Sequence, residues 1–382
     1  MFEFYEFFAG GGMARAGMGD GWHCLRANDI DKKKATSYAR NWGDHKLQVA
    51  DVNDVTTTDL PGTACLAWAS FPCQDLSLAG NGTGLKGERS GTFWPFWFLM
   101  EALKKEERAP AIIVLENVCG ALTSHGGKDF VSIGNKIVKT GYHFGAVVID
   151  AVDFVPQSRP RLFIVAVRED VEIPGTVLRD GADTKWHSAA LVDAYGKFPK
   201  ACRDNWVWWN LPYPPMRETV LANLIEEEPN GVKWHTRDET RYLLSLMSHV
   251  NRKKVAAAKK AGRRMVGTIY RRTRPDGKGG RTQRAEVRFD DVAGCLRTPV
   301  GGSSRQTIMI VDGDKVRSRL LSPREAARLM GLPDNYELPE NYNDAYYLAG
   351  DGLVVPVVRH LATHVLEPVL VAMTEAEKQK VA

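Results

Sequence analysis

The first 170 residues repeat one pattern: a short apolar run, a turn, then a stretch with helical spacing. The strand-like runs are "FEFYEFF", "WHCLRAND", "TACLAWAS", "PAIIVLENV", "HFGAVVIDA" and "RLFIVAVR". Helix-like stretches such as "KKKATSYARNW", "FWPFWFLMEALKKEE" and "DFVSIGNKIVKT" lie between several of them. Alternation of this kind predicts an α/β chain with a mostly parallel sheet covered on both faces. Open parallel sheets place their ligands beyond the carboxyl ends of the strands. The residues at those exits are therefore where chemistry is expected.

The first exit reads "FAGGG" and leads into a helix through "MARAGMGDG". Glycines let the chain turn sharply against a ligand, and a helix N-terminus favours negative charge there. The second strand ends in acids, Asp29 and Asp31, and a carboxylate at that place can accept both hydroxyls of a ribose. Asp51, in "VADVND", is placed to bind an adenine edge. The exit of "TACLAWAS" carries a lone thiol, Cys73, in "FPCQDLS", followed by a loop over 79–92 with five glycines. A cysteine at a strand exit near helix N–H groups has a lowered pKa and is a nucleophile. "LENV" brings Glu116 to the same edge, and "PQSRPRLFIVAV" brings Arg159 and Arg161. A nucleophile, an acid and two arginines beside a nucleoside-type pocket make an active site.

The texture changes after residue 170, where proline and tryptophan clusters ("NWVWWNLPYPP") replace the alternation. Residues 251–288 hold fourteen Lys or Arg against two acids, which is +12 in a chain totalling +5, so the remainder sums to −7. A local basic block points to a polyanion held at one place. It is interrupted by "MVGTIY" and "AEVRF", which read as short strands. We expect two domains: 1–170 plus 345–382, whose last helix returns to the glycine turn, and 171–344, with the tryptophans in its core. The six cysteines form no CxxC pair, which argues against a zinc ribbon or disulfide scaffold, and no metal is expected. The N-terminus lacks a basic n-region and the longest apolar runs are too short to span a bilayer, so a cytoplasmic protein is expected, away from membranes.

Taken in order, "FFAGGGMAR", "ANDID", "ADVND", "FPCQDLS", "RSGTF", "LENV", "PQSRPRLFIVAVR", "LSPREAARLMGLPD" and "YYLAGDGLVVPVV" resemble the DNA cytosine-5 methyltransferase family. The resemblance covers nearly the whole chain except about 171–300. It implies a Rossmann-like S-adenosylmethionine-dependent methyltransferase core with a smaller, irregular target-recognition domain. It also implies double-stranded DNA as partner, with the target base flipped out of the duplex. Cys73 matches the family nucleophile that adds to cytosine C6, Glu116 the acid at N3 and N4, and Arg161 the arginine at O2, with Arg159 in support. The family match assigns Phe8, Ala9, Gly10 and Gly12 to the methionine side of S-adenosylmethionine. Asp29 falls to the ribose, Ile30 and Asp51 to the adenine, Pro72 to the methyl donor and Asp351 to the amino-acid end.

Gln74, Ser77, Lys86 and Arg89 are expected near the DNA, and Arg271, Arg274, Gln283 and Arg284 are candidates for reading bases. Three positions depart from the usual motifs: Met13 replaces a glycine, Asp29 a glutamate and Asp351 an asparagine. A monomer is expected, with a restriction endonuclease as a conceivable companion. Two other readings fit the same motifs less well, an RNA cytosine-5 methyltransferase and an inactive DNA-binding homologue.

Overall fold

The alternating segments form a seven-stranded sheet from β1 (Phe2–Phe7), β2 (Trp22–Asp29), β3 (Leu47–Val49), β4 (Leu66–Ala69), β5 (Ile112–Asn117), β6 (Tyr142–Asp150) and β7 (Pro160–Arg168). Its order is β3-β2-β1-β4-β5-β7-β6. Pairs from β3 to β5 are parallel, whereas β7 runs antiparallel to both neighbours. The short link from β6 to β7 explains the reversal, because a parallel return needs a helix-sized crossover. The winding changes direction between β1 and β4, which opens a crevice at the exits of β1, β2 and β4. The computed structural model describes residues 1–72, 90–275, 280–298 and 305–381. Two units emerge: Met1–Asp150 with Pro160–Pro214 and Val355–Ala382, and Ala151–Arg159 with Pro215–Val354.

In the first unit, α1 (Met13–Met18) follows β1 and α2 (Lys32–Trp42) follows β2. Helices α3 (Phe93–Lys105) and α4 (Lys128–Lys139) follow β4 and β5. Phe93, Phe96 and Trp97 of α3 pack with Ile133 and Ile137 of α4 against Ile113, Leu115 and Ile164 of the sheet, all essentially buried. At ~25 cal/mol per Å² such aromatic burial dominates the stability of this layer.

Residues 171–214 contribute β8 (Leu178–Arg179), α5 (Ala189–Gly196), α6 (Lys200–Asp204) and β9 (Trp208–Trp209) to this same unit. The tryptophans therefore do not core the smaller unit. Trp206 packs edge-on against Phe144 of β6 at 5.1 Å and against Phe198 at 5.6 Å. Gly145 makes this layer possible: a Cβ there would lie 1.9 Å from the Val207 carbonyl oxygen.

The second unit carries α7 (Leu221–Leu224), α8 (Arg237–Ser245) and α9 (His249–Lys260). Its strands are β10 (Met265–Pro275), β11 (Arg281–Arg288), β12 (Thr307–Asp312) and β13 (Lys315–Leu320), followed by α10 (Pro323–Leu329) and α11 (Tyr342–Asp351). The four strands form an antiparallel sheet in the order β11-β10-β12-β13. Val255 and Ala258 of α9 join Ile269, Ala285, Val287, Met309 and Val311 in a core of its own.

The chain closes with α12 (Val355–Leu361), a π-helical turn over 362–366 and α13 (Glu367–Val381) in the first unit. α12 packs on α1, where a Cβ on Gly17 would lie 2.4 Å from the Val358 Cβ. Trp22 adds an indole hydrogen bond to Glu367 Oε1 at 2.8 Å. One stretch within Tyr342–Lys380 is apolar enough by length and composition to cross a membrane. Within that range Val357, Val358, Leu361, Val365 and Leu370 are nevertheless core residues of a folded unit.

Candidate active site

The β1 exit is a tight turn with Phe8 at φ 57°, Gly10 at 56° and Gly12 at 76°. A phenylalanine in the left-handed region costs about 1–2 kcal/mol, and strain of this kind gathers at ligand sites. The Ala9 amide donates to the Asn28 carbonyl at 3.0 Å and the Gly12 amide to the Ala9 carbonyl at 2.8 Å. A Cβ on Gly10 would meet nothing closer than Lys34 Cδ at 4.0 Å, so the turn is an open cradle.

Asp29 lines this cradle with its carboxylate buried at 8% exposure. Oδ2 accepts the Gly10 amide and Oδ1 the Asp31 amide, each at 2.7 Å. Burial pushes its carboxyl above the ordinary value, while the two amides and Lys34 hold it back. The next residue, Ile30, is 64% exposed and presents an apolar face beside that carboxylate. Asp51 sits two residues past Val49, the parallel partner of Asp29, and its Oδ1 accepts the Asn53 amide at 2.9 Å. Asn28, which the sequence reading passed over, ties these exits together by donating to the carbonyls of Gln48 and Ala50 at 3.2 and 3.0 Å.

The candidate catalytic edge is built on β5 and β7. Glu116 is buried at the end of β5, and Arg161 is the second residue of β7, one residue before the partner of Asn117. Their side chains meet, with Arg161 Nε 3.2 Å from Glu116 Oε1. Arg161 Nη1 also donates to the Pro160 carbonyl at 2.9 Å. Both side chains are mostly shielded from water, so the pair is stronger than a surface bridge.

Asn117 is a second residue that sequence reasoning missed. It is buried, donates to the Phe71 carbonyl at 3.1 Å and accepts the Val118 amide at 2.9 Å. It thus fastens the β4 exit two residues before Cys73 to the strand that carries Glu116. The position of Asn117 inside "LENV" was the available signal. Cys119, a half-buried free thiol, feels the charges of Arg161, Asp150 and Glu116, and burial pushes it above its ordinary value.

Arg159 and Arg161 part company. Arg159 belongs to the second unit and is 2% exposed. It donates to the carbonyls of Leu296, Gly350 and Gly352 at 3.0, 2.7 and 2.8 Å. Its guanidinium therefore grips the backbone on both sides of Asp351, the exposed last residue of α11. Gln157, buried completely, likewise donates to the Leu329 carbonyl and accepts the Leu296 amide.

The basic block becomes α9 and the β10–β11 hairpin. Arg272 lies directly opposite Arg284 in the antiparallel register, on one face with the exposed end of the ribbon. Like charges so placed repel, which makes sense when a polyanion neutralises them. Glu286 takes up part of the charge, 3.4 Å from Arg272 Nε. Arg271 and Gln283 are exposed on the opposite face. Arg274 lies in β10. Cys73, Gln74, Ser77, Lys86 and Arg89 lie outside the described residues, as does the Arg274 side chain. Pro72 is half-buried. Among the described residues, no group of three or more His, Cys, Asp or Glu side chains could hold a metal.

The chain is similar to known proteins along its whole length. It is 26% identical to the Type II methyltransferase M.BsuFI of Bacillus subtilis, over 98% of this chain and 75% of the relative. It is 24% identical to the Type II methyltransferase M.HhaI of Haemophilus parahaemolyticus, over 95% and 94% respectively. Among solved structures, S. pombe Dnmt2 methyltransferase superposes with a TM-score of 0.59 at 18% identity, over 96% of this chain and 99% of that one. This last likeness establishes the Rossmann-like methyltransferase fold. The C-5 cytosine-specific DNA methylase family model matches residues 2–367, so the chain belongs to that family and is a DNA cytosine-5 methyltransferase.

Proposed function

We propose that the thiolate of Cys73 adds to C6 of a cytosine flipped out of duplex DNA, with Glu116 and Arg161 holding the base. The observation that carries this reading is the shielded Glu116–Arg161 pair, tied through Asn117 to the backbone that leads into Cys73. C5 of cytosine is a weak nucleophile. Thiolate addition to C6, with a proton passed from Glu116 to N3, turns C5 into the nucleophilic carbon of an enamine. Arg161 offsets charge at O2. S-adenosylmethionine, when bound, supplies the electrophilic methyl group that C5 takes up. Transfer of the C5 proton to a water molecule, expulsion of the thiolate and return of the N3 proton to Glu116 then restore the aromatic base and the enzyme.

The open glycine turn, the buried Asp29 and the exposed Ile30 fit an adenosyl ligand with an amino-acid tail. Phe8, Ala9, Gly10 and Gly12 would receive the methionine end. Asp29 would take the ribose, Ile30 the adenine face and Asp51 its amino group, with Pro72 beside the methyl. The family match also assigns the amino-acid group to Asp351, whose flanking carbonyls Arg159 holds, and S-adenosylhomocysteine would be the product.

Lys86, Arg89 and the basic ribbon would hold the DNA backbone, with Gln74 and Ser77 at the extruded base. A two-stranded ribbon fits the major groove, where arginine pairs with guanine and glutamine with adenine. Arg271, Arg274, Gln283 and Arg284 are the proposed readers. We read the enzyme as a metal-free monomer of the cytosol, either paired with a cognate restriction endonuclease or acting as a solitary modifier.

The test is a trap. Duplex DNA carrying 5-fluorocytosine cannot lose a C5 proton, so the adduct cannot resolve. A covalent protein–DNA band that needs cofactor, and that vanishes in Cys73→Ala, supports the mechanism. A band that survives this substitution rejects Cys73 as the nucleophile.

A further inference from the structure

We infer that Trp42, working with Tyr38 and Arg15, is a positioning clamp that sets affinity for the amino-acid end of the cofactor without touching it. The inference rests on the reading that the glycine turn receives that end. Lys34, Tyr38 and Trp42 are spaced four residues apart and share one face of α2. That face runs along the turn: Lys34 lies nearest Gly10, and Tyr38 and Trp42 lie against Gly12. A Cβ on Gly12 would sit 2.3 Å from Trp42 Nε1 and 3.0 Å from Tyr38 Cε2, so backbone and rings are flush.

The contact is also directional. Trp42 Nε1 donates to the Gly11 carbonyl at 3.1 Å, which fixes the middle peptide of the turn. The Arg15 guanidinium lies 5.0 Å from the Trp42 ring centroid and 5.8 Å from that of Tyr38, and donates to the Tyr38 hydroxyl at 3.0 Å. The Arg15 amide donates to Glu6 Oε1 at 3.3 Å, anchoring α1 to β1.

The same helix begins at Asp31, whose Oδ1 caps it through the Lys33 and Lys34 amides. Its start therefore adjoins Asp29 and Ile30, and its end seats on the glycines. One short helix sets the spacing between the two halves of the proposed cofactor site. This also accounts for Met13 in place of a glycine. Met13 is the buried first residue of α1, and the turn owes its shape to Gly12 and its aromatic backing.

Calorimetric titration of the apoprotein tests the clamp with two ligands, S-adenosylhomocysteine and 5′-methylthioadenosine, which lacks the amino-acid end. Trp42→Phe keeps an aromatic ring on this face of α2 and removes the N–H together with the pyrrole edge that backs Gly12. That loss should weaken S-adenosylhomocysteine by about fivefold, the worth of one hydrogen bond, and leave methylthioadenosine within about twofold. In turnover, KM for the methyl donor should rise by the same factor with kcat unchanged. Tyr38→Phe, which frees Arg15, should shift the two ligands in the same unequal way.

Unchanged affinity for both ligands overturns the clamp. Equal weakening of both also overturns it, since a merely destabilised α2 would behave so. Wild-type protein that binds neither ligand would sink the underlying cofactor reading itself, and the clamp with it.

Discussion

Glu6 offers a prediction whose sign and size follow from its surroundings. It lies on β1 just before the glycine turn and is 1% exposed. Oε1 accepts the Arg15 amide, while Oε2 has no hydrogen-bond partner among the described residues. Burial pushes its carboxyl from 4.5 up to about 8; the Arg15 amide and charge and the Tyr38 hydroxyl oppose the rise, and the Asp29 charge adds to it. Between those two pH values the folded protein holds a proton that the unfolded chain has lost. Stability therefore falls as pH rises through that window and levels off above it. At ~1.4 kcal/mol per pH unit the full loss is on the order of 5 kcal/mol.

Glu6→Gln keeps the shape and the Oε1 acceptor and cannot ionise. Thermal melts of wild type and variant across pH 5 to 9 measure the difference. The two midpoints should differ little near pH 5, and the variant should gain on the wild type by about 10 °C toward pH 9. Midpoints that run parallel at every pH would show that Glu6 does not titrate in this window and would refute the reasoning.

Other perturbations test other layers. Glu116→Gln should lower kcat by about 10²–10⁴ while S-adenosylhomocysteine affinity stays within about twofold, read by single-turnover methylation and calorimetry. Arg272→Ala should weaken DNA binding on all sequences and reduce the slope of log affinity against log salt by about 1, measured by fluorescence anisotropy. Arg319 and Glu325 form a two-pronged pair at 2.8 and 2.6 Å with both side chains fully buried. Glu325→Ala strands the guanidinium and should cost about 3–5 kcal/mol in urea unfolding of the second unit. Gly145→Ala drives a methyl into the Val207 carbonyl and should destabilise the tryptophan layer by about 1–3 kcal/mol, seen as an earlier change in tryptophan fluorescence.

The sheet was legible because buried parallel strands leave long apolar runs and their exits carry glycines and acids. Asp29, Asp51 and Glu116 were legible as exit residues and Arg161 as the lead-in to a strand; because β7 runs antiparallel to β5, its start lies at the edge where Glu116 ends β5. What the sequence hid was tertiary in origin. The tryptophans at 206–209 carry no mark that Gly145, sixty residues earlier, leaves room for them on β6. Arg159 and Arg161 look alike in "SRPR", yet one spends its donors on backbone carbonyls and the other pairs with a carboxylate. Trp42 reads as the end of an ordinary amphipathic helix until Gly12 is seen against its ring. Asn117 and Asn28 sit beside the more conspicuous acids Glu116 and Asp29, and only the carbonyls they reach disclose their purpose.

The central claim is that this chain places methyl groups on C5 of cytosine in DNA by way of Cys73. Methylation-sensitive sequencing of plasmid DNA from cells expressing the wild type, beside a Cys73→Ala control, tests it most directly. The account predicts 5-methylcytosine at one short motif in the wild type and none in the control. Unmodified plasmid from a folded, cofactor-binding wild type would contradict it, as would equal modification in the control.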